Sequence, residues 1–167
     1  SKDFENSNFQ LLVDHKSQYV NATIVILGDI LENSSFWVNG TYGDATNNSN
    51  GNPWIEDGKE VAVNFSRFND TAAKIRNFIR YANQKWGTRY VLLGGDVEII
   101  PVRKLYVNLS DWYSGYIGEV PIEGWIPSDL YFGCLDGTWN DDLDKKFGER
   151  KNYSIDEEAD FIAEVYI

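Results

Sequence analysis

Residues 139–149 read WNDDLDKKFGE, and Asn140, Asp141, Asp142, Asp144 and Glu149 crowd their oxygens into that one stretch. Calcium takes about six to eight hard oxygen ligands at close range. Asn140, Asp142 and Asp144 occupy alternate positions, so on a turning loop their short side chains can aim at one centre. Glu149 is long enough to close such a sphere with two oxygens. An EF-hand loop needs Gly at its sixth position and Glu at its twelfth. Counted from Asn140, Lys145 and Lys151 stand there, so this is an aspartate ladder of another kind. The other reading is a solvated acidic turn, neutralised by Lys145, Lys146 and Arg150. Hydrated carboxylates repel by only about 1 kcal/mol per close pair, which a surface loop tolerates without a metal. On these residues alone both readings stand.

Other chemistry is scarce. Cys134 is the single cysteine and His15 the single histidine. No internal disulfide can form, and a zinc site of His and Cys ligands is nearly excluded. A Cys–His dyad would need these two residues and no others. Cys134 follows Phe132 and Gly133 in an apolar run, the setting of a buried packing thiol. His15 lies between Asp14 and Lys16, the setting of a solvated surface position. Gly94-Gly95-Asp96 follows an apolar run but lacks both phosphate-loop patterns. A tight turn in which Asp96 accepts backbone N–H groups is expected there.

The bulk numbers narrow the function. The chain has 167 residues and a net charge of -11, which repels a phosphate backbone or an anionic membrane surface. No apolar run approaches the roughly 20 residues of a membrane span. No nucleic-acid or membrane partner is therefore expected. Methionine is absent, so the expectation is a piece of a longer polypeptide. Asn-X-Ser/Thr occurs at Asn21, Asn33, Asn39, Asn47, Asn64, Asn69, Asn108 and Asn152. With 16 Asn and 17 Ser plus Thr in the chain, chance gives roughly 1.6 such sequons. The excess predicts a secreted or extracellular protein that meets a glycosylating route.

These groups need elements to hold them. NFQLLVDHKSQY (8–19) predicts a short helix with Phe9, Leu12 and Val13 on one side. ATIVILGDI (22–30) is β-branched and predicts a buried strand. Residues 32–58 are rich in Asn, Ser and Gly and predict an irregular loop or insertion, folded back through Trp37 and Trp54. Residues 68–87 give the clearest helix. Asn69 or Asp70 caps it, Ala72, Ile75, Phe78, Ile79, Ala82 and Trp86 form its apolar face, and Gly87 stops it. Tyr90 to Leu93 predict a strand, so strand, helix and strand imply a βαβ unit and a parallel sheet. Residues 104–127 read as aromatic and irregular, SDLYFGCLDG (128–137) as a further strand, and ADFIAEVYI as a last one. The expected fold is one α/β domain over 1–167, a parallel sheet flanked by helices.

The order of these segments resembles the gingipain-type cysteine peptidases. RYVLLGGDVEIIPVR (89–103) and SDLYFGCLDG (128–137) carry the resemblance most specifically. It extends over 9–30 and 70–167, and the segment 31–60 lies outside it. The resemblance implies a caspase-like, three-layer α/β/α fold, of which this chain is the first, non-catalytic subdomain. It also implies a structural calcium ion, for which Asn140, Asp142, Asp144 and Glu149 are the candidate ligands. The family's histidine follows a glycine, and its nucleophilic cysteine lies further along. Neither motif occurs here, and His15 and Cys134 match no catalytic position. The implied partners are a catalytic subdomain or second chain of the same precursor, and a protein or peptide substrate. The expected function is thus the supporting half of a secreted, calcium-stabilised cysteine endopeptidase, inactive alone. The alternative is a non-enzymatic extracellular binding module, using Trp112, Tyr113, Tyr116 and Trp125 to stack on sugars or a partner.

Overall fold

A computed structural model describes residues 8–43, 54–56, 59–61, 69–108, 123–137, 139–140, 146–148 and 162–167. Its elements are α1 (Asn8–Lys16), α2 (Leu27–Glu32), a 3-10 turn (Ser34–Phe36), β1 (Trp54–Glu56), β2 (Lys59–Val61), α3 (Thr71–Trp86), β3 (Arg103–Asn108), β4 (Glu123–Ser128) and α4 (Leu130–Gly133). The described part of the chain is a mixture of helix and strand. β1 pairs antiparallel with β2, and β3 pairs antiparallel with β4 in the register Arg103–Ser128 through Asn108–Glu123.

The long helix forms as its sequence dictates. The Asp70 carboxylate accepts the Ala73 N–H at 2.9 Å and caps the first turn. Ala72, Ile75, Ile79 and Ala82 are buried at the i, i+3, i+4 spacing of one face. Gly87 ends the helix at φ 68°, the left-handed conformation that glycine adopts without penalty. Arg76 is buried at the edge of this face, and Asn77, on the other side of the helix, is buried with its amide donating to Phe36 O at 2.8 Å. Ala72, Ile75 and Ile79 of α3 make one core with Leu105 of β3, Tyr131 and Phe132 of α4, and Cys134, Leu135, Trp139 and Val165.

Several sequence expectations are corrected here. Residues 21–26 join no ladder among the described residues, and the chain then turns into α2 from an extended Ile26. Ala22, Ile24 and Ile26 are partly buried while Asn21, Thr23 and Val25 are exposed, so the alternation of a strand is present without its pairing. The stretch 128–137 holds a helical turn rather than a strand. Ser128 ends β4, its hydroxyl accepts the Leu130 N–H at 3.2 Å, and this starts α4. Within 104–127, read as irregular, the larger hairpin forms from 103–108 and 123–128, where Lys104, Leu105, Tyr106 and Val107 alternate across its two faces. The 32–58 segment contains the 3-10 turn and β1, and it folds back through buried Phe36 and Val38.

Parallel pairing is confined, among the described residues, to two bridges: Tyr90 with Tyr166, and Leu105 with Phe147. The first is held by Val91 N–H to Tyr166 O and Tyr166 N–H to Arg89 O, both 2.9 Å. The Tyr90 strand and the last strand are each reduced to this contact, and a flanked parallel sheet is not what the described residues form. At α1 the expected helix is present, yet none of its residues is buried. Asp96 accepts the Glu98 N–H at 3.1 Å, as the Gly-Gly-Asp turn predicts.

Candidate metal loop

The acidic stretch leaves the core at Trp139 and rejoins it at Phe147. Trp139 is 2% exposed and packs edge-on against Tyr131 at 6.0 Å. On the return, Gly148 donates its N–H to Trp139 O at 2.7 Å, which closes the loop at its base. Gly148 has φ 73°, and a Cβ there would press on the Trp139 ring at 3.2 Å, so any other residue would be strained. Phe147 forms the bridge to Leu105, and its carbonyl accepts the Tyr106 N–H at 2.8 Å. The rim is thereby fixed to β3 on one side and to the core on the other.

Two cationic devices hold this rim. Arg76 on α3 is fully buried and donates to Cys134 O (2.9 Å) and Gly137 O (2.7 Å). One turn later Arg80 donates through Nε and Nη2 to Leu135 O at 2.9 and 2.7 Å. The Leu135 N–H donates to the Glu164 carboxylate. Cys134, Leu135 and Gly137 are thus held through their backbone just before the acidic stretch.

The second device is centred on Arg103. It forks onto Asp70, Nη1 to Oδ2 at 2.9 Å and Nη2 to Oδ1 at 2.8 Å, and lies 4.0 Å from the Phe147 ring centroid and 4.6 Å from that of Tyr131. Burial opposes its charge, but the Tyr131 oxygen and the Asp70 carboxylate outweigh that, and the guanidinium pKa stands above its ordinary value. Beside it, Lys146 Nζ sits 4.6 Å from the Tyr106 ring centroid.

Of the four candidate ligands, Asn140 is buried at 2% exposure beside Trp139. Asp142, Asp144 and Glu149 lie outside the described residues. Among the described residues no group of three His, Cys, Asp or Glu side chains could hold a metal. The potential dyad does not form: Cys134 is 0% exposed in the core, whereas His15 is exposed on α1 and meets Tyr19 edge-on at 5.9 Å. The packing role expected for Cys134 is the one observed. Of the aromatics considered for stacking, Trp125 is half-exposed on β4 against Tyr106, and Trp112, Tyr113 and Tyr116 lie outside the described residues.

Sequence reasoning missed Arg76, Arg80 and Arg103. Arg76 had a signal: it falls four residues after Ala72 and three before Ile79, inside the apolar stripe. Arg80 sits one turn on, and Arg103 had no local signal, because its partners come from 33 and 28 residues away.

A family model described as Peptidase family C25 matches residues 6–167. The chain belongs to Peptidase family C25, the gingipain family. Neither the curated proteins nor the solved structures searched contain a match. The match spans the two stretches, 89–103 and 128–137, that carry the resemblance, and it places the chain in the context of a peptidase. In the C25 chain no helix among the described residues is long and apolar enough to cross a membrane.

Proposed function

We propose that this C25 chain is the non-catalytic, amino-terminal subdomain of a secreted, calcium-stabilised cysteine endopeptidase. Its role is to buttress a catalytic half that supplies the thiolate and the histidine. One observation carries this reading: within a peptidase family match over 6–167, the single cysteine is fully buried. A nucleophilic cysteine needs access to a peptide carbonyl and a base within reach. Cys134 instead lends its carbonyl to Arg76 and its thiol to the core.

The donor set of the acidic stretch fits calcium by its chemistry, being made of hard carboxylate and carboxamide oxygens. Asn140, Asp142, Asp144 and Glu149 would hold the ion, which supplies a structural cross-link. The closure between Trp139 and Gly148 supports this, because a loop whose ends are already joined loses less entropy when it wraps a cation. Calorimetric titration of the chain should show calcium binding that Asp142→Ala with Asp144→Ala abolishes. Unchanged binding in that double variant would move the site elsewhere.

A further inference from the structure

We propose that Asn21 and Asn39 are N-glycosylation sites whose first sugar packs on Tyr19 and Trp37, and that Asn69 is a sequon in sequence only. The proposal rests on the secreted reading above and adds which sites are used. Both predicted acceptors share three features. Asn21 and Asn39 are exposed, and neither side chain has a hydrogen-bond partner among the described residues. Each has Thr two residues on, Thr23 and Thr41, and both threonines are exposed. Each has an aromatic residue two residues before it, with Tyr19 75% and Trp37 37% exposed.

The third feature is the one that points to a ligand. The C–H face of a pyranose stacks on an aromatic ring, and exposed aromatic surface beside a sequon is covered by the bulky, solubilising sugar. At Asn39 the backbone enforces proximity: Gly40 N–H donates to Trp37 O at 2.7 Å, so Trp37 and Asn39 share one turn. Asn69 also has a threonine two residues on, Thr71, but that residue is partly buried and no aromatic stands two residues before. Asn69 is partly buried, its Oδ1 accepts the Val38 N–H at 3.1 Å, and the next residue, Asp70, caps α3. Its sequon is occupied by the fold.

The chemistry is transfer from a lipid-diphosphate-linked oligosaccharide. The Asn Nδ2 attacks the anomeric carbon, the N–C bond forms as the C–O bond to diphosphate breaks, and one amide proton is lost to a base of the transferase.

The test uses the protein secreted from a glycosylating host, deglycosylated enzymatically in heavy-oxygen water and mapped by peptide mass spectrometry. Label at Asn21 and Asn39 with none at Asn69 is the expected result. Label at Asn69, or bare Asn21 and Asn39 with other sequons labelled, overturns the assignment while leaving the secreted reading intact. Eight bare sequons overturn both. Tyr19→Ala, a change at a surface side chain, should lower occupancy at Asn21 several-fold and leave Asn39 unchanged. Equal occupancy at Asn21 in that variant refutes the stacking.

Discussion

Replacing Asp70 should reveal how much of this chain's fold is held by one carboxylate. Asp70 caps α3 through the Ala73 N–H and also receives both terminal nitrogens of Arg103. Losing a helix cap costs about 0.5–2 kcal/mol. Stranding a buried charge costs about 3–5 kcal/mol. The Asp70 side chain is 47% exposed, against 10% for Arg103, so water partly replaces the carboxylate and the second figure must be cut. A total of about 2–3 kcal/mol is expected for Asp70→Ala. With a urea slope of about 1–3 kcal/mol/M, the unfolding midpoint should fall by roughly 0.7–3 M. Asp70→Asn keeps a capping oxygen but loses the charge, so its cost should be about half as large. A double-mutant cycle with Arg103→Met should return a coupling of about 1 kcal/mol or more. A midpoint for Asp70→Ala within about 0.3 M of the parent would refute the reasoning. So would a cycle with no coupling.

Two further perturbations test the rim of the acidic stretch. Arg76→Leu strands the Gly137 carbonyl in the core, leaves Cys134 O only its 3.4 Å bond from Trp139 Nε1, and should cost about 2–4 kcal/mol by urea unfolding; Arg76→Lys should recover little of it, because an ammonium cannot span both carbonyls as a guanidinium does. Gly148→Ala should destabilise by more than Gly87→Ala, since both have positive φ but only at Gly148 does a Cβ meet a buried ring, Trp139. Gly87→Ala should cost about 1 kcal/mol in thermal unfolding, and equal losses at the two positions would mean that the Trp139 contact is not tight.

What was legible in the sequence was local. α3 could be placed from Asp70 to Gly87 because its cap, its apolar spacing and its stop all lie within one segment, and each acts through neighbours a few residues away. The burial of Cys134 and the Asp96 turn were legible for the same reason. Strand pairing was not. Residues 21–26 have the composition and the alternating exposure of a strand, but a strand exists only through its partner, and composition does not reveal whether one is there. The β3–β4 hairpin was hidden by its spacing: residues 109–122 separate its strands, so no two-residue turn signals it. For the candidate site, the crowding of Asp and Asn was plain, and the devices that fix its rim were not. Arg76 and Arg80 act across 55 to 61 residues of sequence on carbonyls that carry no side-chain signature, and Arg103 reaches Asp70 and Tyr131 across 33 and 28 residues.

The central claim is that the reactive groups of this peptidase lie outside these residues and that Cys134 is a core thiol. Peptide cleavage by the purified 167-residue chain, compared with its Cys134→Ala variant, addresses it most directly. No cleavage of a mixed peptide substrate by either protein is the predicted result. Cleavage by the parent chain that disappears with Cys134→Ala would contradict the account.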